Sequence, residues 1–130
     1  MIIAIDFDGT CVTHKYPEIG ESIGAEKVLK KLVDNDHKLI LNTMRSHKKY
    51  EGRDLLEEAV EWFKKNDIEL YGVNENPGQK SWTDSPKIYA NIYIDDAALG
   101  CPLTMDEDGN GMHVDWKPID AYFTAVLKLK

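Results

Sequence analysis

Met1-Ile2-Ile3-Ala4-Ile5-Asp6-Phe7-Asp8-Gly9-Thr10 is a short apolar run that ends in two acids one residue apart, followed by a glycine and a threonine. Side chains alternate across a strand, so Asp6 and Asp8 leave the strand end on the same side while Phe7 turns away. Two carboxylates held that close repel each other. They stay ionised near neutral pH when a cation lies between them; otherwise one of them keeps its proton. Either arrangement is a chemical tool, which makes this corner the first place to look for function.

Outward from this corner the chain alternates strands and helices, the pattern of a mostly parallel sheet covered on both faces. The first strand spans residues 2 to 6, and a polar, glycine-punctuated loop runs to about Gly24. Val28, Leu29, Leu32 and Val33 fall at helical spacing and predict a helix over 25 to 35, ended by Asp34-Asn35-Asp36. Leu39-Ile40-Leu41 is a continuous apolar run, as in a strand buried on both faces, and it stops at Asn42 and Thr43. A second helix over roughly 51 to 66 buries Leu55, Leu56, Ala59, Val60 and Phe63, and residues 68 to 73 predict a third strand. The polar stretch from Asn74 to Ala90, with Pro77, Gly78 and Pro86, reads as a long loop of the kind that is usually functional or mobile. Residues 91 to 95 form a fourth strand ending in Asp95-Asp96. Leu103 to Met105 and Met112 to Trp116 flank a turn-rich hairpin tip, and a closing helix follows Pro118. The expected class is therefore α/β: a doubly wound parallel sheet with a C-terminal β-hairpin and helix, in a single domain over residues 1 to 130.

Composition limits the functions this fold could serve. The 130 residues are 42 % apolar and 30 % charged, the balance of a soluble globular domain large enough to bury a core. The N-terminal apolar run stops at Asp6 and lacks a basic lead-in, so neither a signal peptide nor a membrane span is expected. Two cysteines, Cys11 and Cys101, suit a reducing cytoplasm rather than a disulfide framework, and Cys11 is expected to be packing. A net charge of -7 argues against nucleic-acid binding. Within this acidic chain Arg45, His47, Lys48, Lys49 and Arg53 cluster, either to attract an anionic small molecule or as a solvated face. The hairpin tip Asp106, Asp108, Asn110, Gly111 resembles the start of a calcium loop. Its twelfth position is Lys117 instead of glutamate, so calcium is not expected there.

Three of the four strands end in polar groups: Asp6 with Asp8, Asn42 with Thr43, and Asp95 with Asp96. In an open parallel sheet these ends share one edge, where ligands bind at the point of strand-order reversal. Three or four carboxylates facing one cavity with oxygen-only ligands suit a hard cation, Mg2+ before Ca2+ or Zn2+.

The motif Asp6-Phe7-Asp8-Gly9-Thr10, a strand ending at Thr43, a lysine ahead of the last strand and Ile92-Tyr93-Ile94-Asp95-Asp96 together resemble the haloacid dehalogenase superfamily. The resemblance spans residues 2 to 96. It implies a Rossmann-like hydrolase of phosphate monoesters that works with Mg2+ through an aspartyl-phosphate. Asp6 would be nucleophile and metal ligand. Asp8 would be the general acid and base, with its backbone carbonyl on the metal. Asp95 would complete the metal site, with Asp96 either a further ligand or a support for the ligands. Thr43 would hydrogen-bond a phosphoryl oxygen, Gly9 would let the backbone approach the phosphate, and Lys87 would neutralise the phosphoryl group and Asp6, with Lys80 its competitor. Arg45 would add a phosphate contact, unless it is a surface ion pair.

Residues 7 to 42 are used up by a loop, a helix and a strand, so no folded cap fits between Asp6 and Thr43. The stretch 74 to 90 could serve only as a small lid. Such an open site takes a phosphorylated macromolecule or a phosphorylated small molecule, or borrows a cover from a neighbouring subunit in a homo-oligomer. His14, His47, Tyr50 and Trp82 lie in loops expected to rim it, where each either reads the leaving group or simply packs. Two other classes compete. A phosphate-receiving signalling domain uses the same ingredients but carries its adjacent acids on the first strand, whereas here they come last. A binding or scaffold protein with a vestigial site would not require intact acids.

Overall fold

The computed structural model describes residues 1–129. Four strands, β1 (Ile2–Ile5), β2 (Lys38–Leu41), β3 (Gly72–Val73) and β4 (Ile92–Ile94), form a parallel sheet in the order β3-β2-β1-β4. Helices α1 (Ala25–Asp34), α2 (Leu55–Lys65) and α3 (Trp116–Leu127) complete the α/β fold, and β5 (Leu103–Met105) pairs antiparallel with β6 (Met112–Val114). No helix among the described residues is long and apolar enough to cross a membrane.

Alternation along β1 decides what each face of the sheet packs against. Ile3, Ile5 and Phe7 join Leu39 and Leu41 in one hydrophobic cluster with Val28, Leu29 and Leu32 of α1, Ala59 and Phe63 of α2, and Ile119 and Phe123 of α3. Ala4, Ile40 and Tyr93 are in register and point the other way. On that second face the 74–91 segment packs against Tyr93. The Tyr93 hydroxyl donates to the Ile88 carbonyl at 2.6 Å, the Gln79 amide donates to the Ser85 and Lys87 carbonyls, and Asn76 donates to Tyr89. Asn76 and Gln79 are buried, and their amides replace the ladder hydrogen bonds that this irregular stretch lacks. The stretch is irregular, as expected of a long loop, with one helical turn at Gln79–Ser81, and these bonds tie it down.

Helix ends explain where the predicted boundaries moved. Both α1 and α2 close with an Asn-Asp pair: Asp36 and Asp67 take left-handed backbone at φ 66° and 56°. The amides of His37 and Ile68 then reach back to the Leu32 and Phe63 carbonyls. Ile68 thus terminates α2 and does not begin a strand, and β3 is only two residues long. Likewise α2 starts at Leu55, because Glu51 and Gly52 have positive φ and Asp54 accepts from the Glu57 amide as N-cap. Asp115 caps α3 in the same way, and Pro118 falls in the first turn, where a missing amide costs nothing.

The ladder persists past the strand ends, with the Asp6 amide donating to the Ile94 carbonyl and the Asn42 amide to the Ile5 carbonyl. All four carboxyl ends therefore present their next residues at one edge. There β4 lies on the opposite side of β1 from β2 and β3.

Candidate functional site

Asp6, Asp95 and Asp96 converge where β1 meets β4. One carboxylate oxygen from each lies within 4.8 Å of the others, an oxygen-only donor set that fits a hard divalent ion such as Mg2+. Burial pushes the Asp6 carboxyl up to about 7, opposed by a hydrogen bond from Thr10 and reinforced by the charge of Asp95 and by Asp96. A partly buried acid among acids holds its proton near neutrality unless a cation replaces it.

Thr10 organises this cluster. Its hydroxyl donates to Asp6 Oδ2 at 2.8 Å and accepts from the Asp96 amide at 3.1 Å, while its carbonyl accepts from the Trp116 indole at 2.8 Å. The side chain is fully buried. Sequence reasoning gave Thr10 no role; the available signal was a hydroxyl four residues past Asp6, in the turn that must fold back over it.

Gly9 has φ +79°, and a Cβ there would lie 2.5 Å from Asp96 Oδ2 and 2.7 Å from His14 Cδ2. A side chain at position 9 would thus collide with the acid cluster, so glycine is required for the turn and for close approach alike.

Asp8 stands apart from these three. Both of its carboxylate oxygens are taken by Arg45, through Nε at 2.8 Å and Nη2 at 2.7 Å. The expected pairing of Asp6 with Asp8 does not form: Asp6 meets Asp95 and Asp96, and Asp8 meets this arginine. The metal-site expectation for Asp8 therefore rests on its backbone carbonyl alone. Arg45 is 2 % exposed, which rules out a surface ion pair, and its guanidinium is spent on Asp8 and on the Glu18 and Leu55 carbonyls.

Thr43 sits at the end of β2 with its amide donating to the Asn74 side chain at 2.8 Å and its hydroxyl accepting from the Arg45 amide at 3.1 Å. Lys87 is exposed, with its ammonium 5.6 Å from the centre of the Tyr93 ring. No ion pair joins Lys87 or Lys80 to the acids among the described residues.

The loops also differ from expectation. His14 alone of the four rim candidates reaches the acids, its Nε2 lying 4.0 Å from Asp96. His47 pairs with the N-cap Asp54, Tyr50 bridges to Arg53, and Trp82 packs edge-on against Tyr89. Arg53 is held by Glu18 and Glu58, so the basic cluster is largely neutralised from within, leaving Lys48 and Lys49 exposed. Cys11 packs as expected: it is buried, its thiol donates to the Asp6 carbonyl at 3.3 Å, and burial pushes its ionisation well up. At the hairpin tip Asp106 is committed to His113. A cleft of about 610 Å³ lies beside that tip, lined by Thr13, Lys15, Glu21 and Asp108 among others, and none of the three clustered acids contributes to it.

Fold and site together define an α/β protein with a parallel four-stranded sheet and an acidic, ion-compatible cluster at its carboxyl edge. A solved structure of a conserved protein from Bacteroides thetaiotaomicron is similar over 100% of this chain and 93% of its own, with 37% identity and a TM-score of 0.71. The chain belongs to the same family as that protein. No family model matches the sequence, and no curated protein does.

Proposed function

We propose that this chain is a capless, Mg2+-dependent phosphohydrolase of the haloacid dehalogenase superfamily, cleaving a phosphate monoester through an aspartyl-phosphate on Asp6. The observation that carries the reading is the convergence of Asp6, Asp95 and Asp96 within 4.8 Å, with Asp8 beside them and outside the cluster. Four carboxylates at one strand edge are thereby divided into three that can share a cation and one left for proton transfer. The position of β4 across β1 from β2 and β3 supports the doubly wound arrangement of that superfamily.

A Mg2+ ion held by Asp6, Asp95 and Asp96 would offset the repulsion between an anionic nucleophile and an anionic phosphate. The protein's own groups do the rest. An Asp6 oxygen attacks phosphorus as the ester oxygen departs, taking a proton from Asp8. Asp8 then accepts a proton from the water that attacks the aspartyl-phosphate, so that one water is consumed and an alcohol and phosphate are released. Thr10 holds the Asp6 carboxylate in place through the whole cycle. Thr43 and the backbone around Gly9 donate to phosphoryl oxygens, and Lys87, an exposed side chain beside Tyr93, supplies positive charge to the phosphoryl group.

A non-catalytic binding protein is the second reading, favoured by one observation: Lys87 rests over Tyr93 and not among the acids. Steady release of p-nitrophenol from p-nitrophenyl phosphate that requires Mg2+ and is lost in Asp6→Asn would support the enzyme. A single stoichiometric phosphorylation without turnover would support a phosphate-receiving domain. Absence of both, across a panel of phosphorylated metabolites, would leave the binding protein.

A further inference from the structure

Arg45 is the largest fully buried side chain of the protein. A hydrophobic residue of similar volume would fill the same space with less desolvation penalty, so packing alone does not account for a guanidinium here. Its hydrogen bonds point to a purpose. Nε and Nη2 grip both oxygens of Asp8, Nη2 also donates to the Glu18 carbonyl at 3.0 Å, and Nη1 donates to the Leu55 carbonyl at 3.2 Å. The rings of Phe7 and Tyr16 lie 5.2 and 5.3 Å from its central carbon. The planar fork is thus fixed from the strand end, the 13–24 loop and the first residue of α2, and it passes that fixed geometry to one carboxylate.

We infer that Arg45 is a positioning residue for proton transfer by Asp8 and not a ligand for the substrate's phosphate; this rests on the phosphohydrolase reading above. Its side chain has no exposed surface through which a phosphate could be bound. Oriented general acid catalysis matters most when the leaving oxygen is basic. Loss of the clamp should therefore slow the cleavage of poor leaving groups more than that of good ones.

The test compares kcat/KM for phenyl phosphate and for p-nitrophenyl phosphate in the full chain with Mg2+, before and after Arg45→Lys. Lysine keeps the charge but cannot bind both Asp8 oxygens in one plane. The ratio of the two values does not depend on how much of a preparation is folded, so it separates positioning from stability. We expect the preference for p-nitrophenyl phosphate to rise roughly tenfold or more in R45K, and R45K to add little further loss in an Asp8→Asn background. Tyr16→Ala removes an exposed ring from the guanidinium and should shift the ratio the same way by a smaller factor, whether or not R45K folds. An unchanged ratio in both variants would reduce Arg45 to a structural role. A raised KM at constant kcat would make it a substrate contact. Either result overturns the inference, whereas failure of the unsubstituted chain to hydrolyse any phosphate would overturn the reading beneath it.

Discussion

Asp6 and Asp8 leave the same strand end two residues apart, yet they face opposite electrostatic surroundings. On the β4 side Asp6 meets Asp95, Asp96 and a threonine hydroxyl, and burial raises its carboxyl to about 7. On the β2 side Asp8 meets a buried arginine that occupies both of its oxygens. Strand order produces the contrast, because β1 lies between a strand that ends in acids and a strand whose following loop returns with a guanidinium. Two chemically identical groups thus differ through their neighbours: one lies among acids with its carboxyl raised, the other is held in place by a guanidinium.

The sharpest way to break this contrast is to remove each acid in turn. Asp6→Asn should abolish Mg2+-dependent phosphate release, a loss of roughly 10,000-fold or more, as expected when a nucleophile is deleted. Continuous phosphate release assays will read it. Asp8→Asn should cost about 100- to 10,000-fold, the usual range for a general acid-base group, and rapid-quench experiments should find phosphorylated protein accumulating. Equal and complete loss in both variants, without a trapped species, would erase the distinction between the two acids.

Gly9→Ala tests the crowding on the Asp6 side. The left-handed backbone and the contact with Asp96 should destabilise the fold by about 3 kcal/mol, measured by urea unfolding, and should displace Asp96 from the cluster. A variant of unchanged stability would mean the turn relaxes easily.

The smallest expected effect is a pH dependence of stability on the Asp6 side. In the ion-free protein Asp6 keeps its proton up to about pH 7, while in the unfolded chain it titrates near the ordinary 3.8. Its contribution to stability is therefore full below about pH 4 and is lost as pH rises through 7. The melting temperature of the ion-free protein should fall by a few degrees over that interval relative to Asp6→Asn. Adding Mg2+ should restore it above pH 7, and much less at pH 5, where protons compete for the same oxygens. Parallel melting profiles for the two proteins would contradict the assignment.

Much of this layout was legible in the sequence because local patterns agreed with the global fold. The run Leu39-Ile40-Leu41 had to be a buried strand, the stripe from Val28 to Leu32 had to be a helix, and acids at two strand ends had to meet at one edge. What escaped was long-range. Arg45 sits among His47, Lys48 and Lys49, a setting that reads as solvent-facing; only the closed fold brings Asp8 and the carbonyls of Glu18 and Leu55 around it. Thr10 escaped because a single hydroxyl carries no periodic signal. The 74–90 stretch looked loose because it has no repeating hydrophobic pattern, while its order comes from the buried amides of Asn76 and Gln79. Lys87 could be placed near the last strand, but its contact with Tyr93 depends on side-chain direction, which spacing does not give.

Whether the Asp6 carboxylate becomes covalently bonded to phosphorus is read by reducing the phosphorylated protein. Asp8→Asn should be incubated with Mg2+ and p-nitrophenyl phosphate, treated with borohydride, which reduces an acyl phosphate to an alcohol, and digested for peptide mass spectrometry. Homoserine is expected in place of aspartate at position 6 and at no other acid. An intact aspartate at position 6, in a protein that nonetheless releases phosphate, would contradict that expectation.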